Sequence, residues 1–264
     1  MMEKKLQMDE KLLVETVVLA GKIMLSSGAE VYRVEETMNY MLKKSSYQMA
    51  EPVVFATGLF VSLDDPEKES ITVARRIPGR GTNVNRVTLV NDISRRFCAG
   101  TITTEESYQE LKKVENSMQY PDWMKSLGII GISASFTAIF GGTPYDFIPT
   151  ALCGAVLALT DHFEKKLHLN DFCINALGAF MVAFFAHVIE RFLIPGCNPD
   201  VMIISPIMTL VPGVCFTTSC RDILNGDYGA GTARMMEAIV TALAVAAGVG
   251  FGLVAFDTIF GGAI

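Results

Sequence analysis

The chain has 264 residues, half of them hydrophobic, with 22 Lys and Arg against 28 Asp and Glu and a formal net charge of −6. That length holds one large or two modest domains, and neither half has the concentrated excess of Lys and Arg that a phosphate backbone requires, which excludes nucleic acid as a partner. Residues 1–125 carry 17 Lys and Arg and 18 Asp and Glu, residues 126–264 only 5 and 10, so a domain boundary is expected near Lys125.

The first domain, 1–125, reads as a soluble α+β unit. Leu12, Thr16, Leu19 and Ile23 recur at helical spacing, and Ser26-Ser27-Gly28 is a helix stop. The apolar stretch Leu12 to Leu25 is broken by Glu15 and Lys22, which is unlike a signal peptide and places this domain in the cytoplasm. A second helix is expected from Glu30 to Lys44, with acids early and lysines late as the helix dipole favours. Val53–Ala56, Leu59–Leu63 and Ile71–Ala74, separated by turn residues, predict a small antiparallel sheet. After Pro78-Gly79-Arg80-Gly81, a stripe of Val84, Val87, Val90, Ile93 and Phe97 marks a helix ending at Gly100. Thr103 and Glu106 have capping-box spacing for another, carrying Tyr108, Leu111, Val114 and Met118. Arg75, Arg76, Arg80 and Arg86 form a basic cluster, readable as a solvated loop or as a contact for lipid headgroups or an anionic solute.

The second domain, 126–264, reads as an all-α transmembrane bundle of about five helices: Ser126–Gly142, Pro144–Thr160, Phe172–Ile194, Val201–Cys220 and Arg234–Phe256. Each is near the roughly 17–25 residues that cross a bilayer, the first two short enough to read also as buried core helices, and they have almost none of the polar outer faces of helices in water. With the first domain inside, the loops Asp161–Asp171 and Arg221–Arg234 also lie inside and carry four basic residues, whereas the outer loops carry only Arg191. The C-terminus is then outside. Ala238, Ala242, Ala246 and Gly250 form a small-residue ridge suited to close helix approach, within the chain or against another subunit.

The fourth span carries the chemistry. Pro206 and Pro212-Gly213 break its backbone hydrogen bonding, and loosened backbone at membrane depth is tolerated where it lines a cavity or is covered by protein. Ser205, Thr209, Gly213 and Thr217 recur every four residues and lead to Arg221. A packing kink would also explain the prolines; a solute pathway is favoured. The candidate solute-binding residues are therefore Ser205, Thr209, Pro212, Gly213, Thr217, Arg221, Asp222, Arg234, Glu237 and Asn175, with Arg234 and Glu237 spaced to pair. Asp146, Glu190 and Asp257 are expected near the outer face, and His187 as a hydrogen-bonded packing residue. Six cysteines lack CxxC or metal-ligand spacing with the three histidines, so neither a metal nor a cofactor is predicted. Residues 1–125 hold no histidine and one cysteine, and no nucleophile elbow or Walker loop. An enzyme is not expected; a membrane-tethered enzyme and a scaffold or sensor are the alternatives to a transporter.

Leu210-Val211-Pro212-Gly213, Arg221-Asp222, Gly226-Asp227-Tyr228, Gly231, Arg234 and Glu237-Ala238 together resemble the bacterial threonine/serine exporter family. So do Gly21, Ser27-Gly28-Ala29-Glu30, Val34-Glu35, and the segment 78–91 with Asn83, Arg86, Val90 and Asn91. The resemblance implies a multi-pass exporter of the bacterial cytoplasmic membrane, driven by the proton-motive force, for threonine and serine. It also implies the N-terminal-half component of a split exporter associated with dicarboxylates such as succinate, working as an oligomer with a second small membrane subunit.

Overall fold

The structure, a computed structural model, describes residues 2–77, 79, 81–117, 120–167 and 170–261. The expected roles of Pro78, Arg80 and Met118 lie outside the described residues. Two compact units are each assembled from two stretches of chain: 1–117 with 214–235, and 118–213 with 236–264.

In the first unit, α1 (Met2–Ser26) is followed by α2 (Val31–Leu42), β1 (Met49–Phe55), β2 (Gly58–Asp64), β3 (Ile71–Arg76), α3 (Val84–Cys98) and α4 (Thr104–Asn116). The strands form one antiparallel sheet in the order β1-β2-β3, with Val54 opposite Leu59 and Val61 opposite Val73. Pro52 is accommodated because β1 is an edge strand, where a missing N–H breaks no ladder. Val54, Leu59, Val61 and Leu63 turn one sheet face toward a core shared with Val17, Met24, Met38, Val90 and Leu111. α1 is more deeply buried than a single stripe implies, because it packs against α2, α3, α4 and the sheet. The expected capping box at Thr103 and Glu106 forms. Val84 departs from its expected core position: as the first residue of α3 it is 70% exposed. Arg86 leaves the basic cluster and donates to the Glu115 and Ser117 carbonyls at the end of α4, so it caps a helix.

The second unit contains α5 (Asp122–Ile139), a 3-10 turn Pro144–Asp146, α6 (Phe147–Leu167), α7 (Asp171–Val188) continued by a π turn Ile189–Leu193, and α8 (Pro199–Ile207). α10 (Tyr228–Phe260) contributes from Met236 onward. α6 runs through most of the expected loop Asp161–Asp171, and α9 (Gly213–Leu224) together with the start of α10 fills most of Arg221–Arg234. Charge and glycine suggested loops there, but helix covers residues 161–167 of the first and all of the second except the short turn between α9 and α10.

Among the described residues, two helices are long and apolar enough to cross a membrane, Asp171–Leu193 and Tyr228–Phe260, with a shorter apolar helix at Pro144–Thr160. The fourth expected span is divided between α8 and α9 by a turn in which Leu210 and Val211 donate to the Ile207 carbonyl and Gly213 to that of Val211. Many large apolar side chains of the unit point outward, among them Ile139, Ile148, Leu159, Leu243, Phe251 and Val254. The close contacts of α10 differ from the expected ridge. Ala242, Ala246 and Gly250 face outward, whereas Ala244, Gly248, Gly252 and Phe256 face inward. A Cβ on Gly248 would lie 2.2 Å from the Ala176 carbonyl oxygen, and one on Gly252 2.6 Å from that of Phe180, so α7 and α10 touch backbone to backbone. Small residues occur on both sides of α10, and spacing alone does not say which side meets a neighbour.

Candidate functional site in the first unit

The loop 27–30 joins α1 to α2. Gly28 adopts φ +84°, a left-handed turn that suits glycine, and it ends α1 so that the Ala29 carbonyl and the Glu30 carboxylate follow in close succession. α9 and the start of α10 meet this loop. The Arg234 guanidinium donates to the Ala29 carbonyl at 2.7 Å, and its Nε lies 3.4 Å from Asp222 Oδ2. Arg221 pairs with Glu30 Oε1, while Arg33 stands 3.6 Å from Glu30 Oε2.

The α9–α10 turn is tied by its own polar groups. The Asp227 N–H donates to the Asp222 carbonyl at 3.0 Å, and Asp227 Oδ1 accepts from the Ala230 N–H at 2.9 Å, which starts α10 at its positive end. The Ser219 hydroxyl donates to the Gly231 carbonyl at 2.7 Å, and the Cys215 thiol to the Arg234 carbonyl at 3.2 Å. Gly231 is required here, because a Cβ would lie 2.5 Å from Ile223 Cγ1 and 3.0 Å from the Ile223 nitrogen.

The inner pair is fully sequestered: Asp222 is 1% exposed and Arg234 4%. Neither Asp222 carboxylate oxygen, nor Arg234 Nε, makes a hydrogen bond among the described residues. Burial pushes the Asp222 carboxyl above its ordinary value of 3.8; Arg234 and, more weakly, the nearby Val31 N–H pull it down, while Asp227 and Glu30 add to the rise. Glu35 is raised too, by burial first, although its carboxylate accepts from the Val54 N–H at 3.0 Å. The arrangement can hold or release a proton at Asp222, and it can exchange one carboxylate for another on its guanidinium groups.

The sequence-derived site residues divide between the units. Thr217, Arg221, Asp222 and Arg234 belong to the first, and Ser205, Thr209, Pro212, Gly213, Asn175 and Glu237 to the second. Arg221, Asp222 and Arg234 converge. The four-residue stripe from Ser205 to Thr217 does not form one helical face, because the 208–212 turn separates its ends. Thr209 and Thr217 donate their hydroxyls to the carbonyls of Pro206 and Val214, while Ser205 is fully buried without a hydroxyl partner among the described residues. Asn175 is half-buried on α7, and Glu237 is exposed on α10. Arg234, expected to meet Glu237, reaches Asp222 and the Ala29 carbonyl instead.

Glu30 is the site residue that sequence reasoning missed. Its position at the start of the expected second helix reads as a helix-dipole acid; the available signal was its place two residues after the glycine helix stop. His187 sits 3.2 Å from the Ala183 carbonyl and packs on Phe256, a packing role as expected. Asp146 is buried rather than solvated, and it accepts from the Thr143 and Asn198 N–H groups, each at 2.8 Å. It fastens two loops of the second unit.

Gly28, Ala29, Glu30, Arg221, Asp222, Asp227, Gly231 and Arg234 of this cluster are among the residues that carry the family resemblance. A family model described as "Putative threonine/serine exporter" matches residues 15–256. The chain belongs to the threonine/serine exporter family. It is similar to the "Probable threonine/serine exporter" of Mycobacterium tuberculosis, 23% identical over 90% of this chain and 45% of that protein. It is also similar to the "Threonine/serine exporter" of Corynebacterium glutamicum, 23% identical over 88% and 49%. An uncharacterised Schizosaccharomyces pombe protein is 22% identical over 65% of this chain and 21% of its own length. The chain thus spans about half the length of its two bacterial exporter relatives. No solved structure matches it significantly.

Proposed function

We propose that this chain is part of a multi-pass exporter of the bacterial cytoplasmic membrane that moves threonine, serine or a similarly small polar carboxylate outward at the expense of the proton-motive force. Family membership over 15–256 carries the reading. The outward Leu, Ile, Val and Phe side chains of the second unit support it, because a surface of that kind is stable in lipid and prone to aggregation in water. In this reading residues 1–125 face the cytoplasm, residues 126–264 form a bundle of about five spans, and the C-terminus is outside.

In this reading a second membrane subunit or further copies complete the transporter, as the family resemblance implies. The outward ridge Ala242, Ala246 and Gly250 offers such a partner close backbone approach. In the split form the family resemblance adds dicarboxylates such as succinate to the solutes. Arg221, with its side chain 60% exposed, receives the solute carboxylate, and Asp222 beside Arg234 carries the proton. Ser205, Thr209, Pro212, Gly213, Thr217, Asn175 and Glu237 line the route or shape it.

Efflux of labelled threonine, serine and succinate from preloaded cells tests this, with and without the second subunit and with an uncoupler. Uncoupler-sensitive efflux of one of these solutes is expected, falling at least about tenfold in Arg221→Ala, the loss of one charged contact worth roughly 1.4 kcal/mol. Absence of efflux for all three solutes with the partner present would remove the transport reading; unchanged flux in Arg221→Ala would remove the site.

A further inference from the structure

Between α2 and α3, on the first unit, lies a concave cavity of about 380 Å³ that is separate from the Asp222–Arg234 pair. Its lining brings Arg33, Glu36 and Thr37 of α2 opposite Asn91, Ser94 and Arg95 of α3. Helical spacing explains the convergence: 33, 36 and 37 share one face of α2, and 91, 94 and 95 share one face of α3. The volume sits at the lower end of the roughly 300–1,000 Å³ that holds small organic ligands.

The charges are the informative feature. The Arg95 guanidinium and the Glu36 carboxylate line the same cavity, yet neither pairs with the other or with any other side chain among the described residues. The Asn91 side-chain amide is likewise unengaged there, while the Thr37 and Ser94 hydroxyls donate to their own helices and keep lone pairs for an incoming donor. The α2 wall therefore offers both a guanidinium (Arg33) and a carboxylate (Glu36), and the α3 wall a second guanidinium (Arg95), with neutral polar groups between them. A ligand carrying one carboxylate and one ammonium matches both signs; a simple anion would place its charge beside Glu36.

We propose that this cavity is a regulatory binding site for a small zwitterionic α-amino acid, its carboxylate on Arg95 and Arg33 and its ammonium on Glu36. The link to the buried cluster runs through Arg33. That guanidinium lies 3.6 Å from Glu30 Oε2, and the other oxygen of the same carboxylate pairs with Arg221. A ligand carboxylate competes with Glu30 for Arg33 and leaves Glu30 to Arg221 alone, so occupancy of the cavity changes the electrostatic balance at the candidate site. This holds whichever solute crosses the membrane.

Cys98 lines the cavity and is partly exposed, so its alkylation reports occupancy. The test uses the full chain in lipid nanodiscs at mildly alkaline pH, because burial pushes the Cys98 thiol above its ordinary value. Maleimide modification of Cys98 is followed by peptide mass spectrometry against L-serine concentration, with L-lactate as the carboxylate that lacks an ammonium group. Saturable protection by serine is expected. The half-protecting concentration should rise at least about tenfold in Arg95→Ala and in Glu36→Gln, and lactate should protect weakly in the native chain. Arg95 and Glu36 are exposed, so both variants should keep the native unfolding temperature without ligand. Absence of protection at saturating serine, or equal protection in either variant, would overturn the proposal. Lactate matching serine would make this a plain anion site and overturn it as well. None of these outcomes depends on flux, so the transport reading stands or falls separately.

Discussion

Asp222 and Arg234 are buried together without a hydrogen bond between them, and that geometry makes the pair a liability as well as a link. A close but imperfect ion pair removed from water recovers only part of its desolvation cost. The raised Asp222 carboxyl expresses the same imbalance. Its folded value lies above its unfolded value, so the folded state holds the proton more tightly. The contribution of this group to stability is therefore greatest at acid pH, and it declines as pH rises from the ordinary carboxylate value through the raised one. Asp222→Asn should flatten that decline. Unfolding temperatures measured from about pH 4 to pH 7 should fall less steeply in the variant than in the native chain. An equal or steeper slope would mean that Asp222 is not the titrating group. Arg221, Asp222 and Arg234 were legible in the sequence as separate charged candidates between two apolar segments, with Arg234 expected to pair with Glu237, whereas the Arg234–Asp222 pairing was not. Nor were their more distant partners, because Glu30 and the Ala29 carbonyl are about 200 positions away and only folding brings them near.

At the level of elements, the contact between α7 and α10 depends on two glycines that admit a carbonyl where a methyl would stand. Gly248→Ala places a Cβ against the Ala176 carbonyl oxygen, and since backbone cannot yield as a flexible side chain does, the helices must separate. The expected cost is about 1–3 kcal/mol, read as a lower unfolding temperature of the detergent-solubilised chain. Gly250→Ala serves as the control: nothing lies within 4 Å of its added methyl, so it should match or slightly exceed native stability through helix propensity. If the two substitutions behaved alike, the packing face of α10 would be misassigned. Composition announced a close-packing helix; the choice between small-residue ridges on opposite sides of it required the neighbour. The interruption between α8 and α9 was legible, because Pro206 and Pro212-Gly213 are local obstacles to helix hydrogen bonding. The destination of α9 was not: apolar and short, it clusters with the first unit, through contacts that no local pattern encodes.

For the whole molecule, the proposed topology is tested by surface accessibility. In a background lacking the six native cysteines, Tyr145→Cys should react with a membrane-impermeant maleimide in intact cells, since this exposed residue belongs to an outer loop in the proposed orientation. Tyr40→Cys, exposed on α2, should react only after permeabilisation. The reverse pattern would invert the orientation, and reaction of both in intact cells would place the first unit outside. The amino-acid sequence by itself determined the contrast between a charged N-terminal region and an apolar C-terminal one, the helix stops and caps, the three-stranded sheet and the family. These are read from local composition, from steric rules at glycine and proline, and from ordered motifs. The tertiary structure alone decided that residues 214–235 complete the first unit, that Glu30 joins Arg221, and that Gly248 rather than Gly250 meets α7. Each is a choice among partners far apart along the chain, settled by burial and close packing in three dimensions.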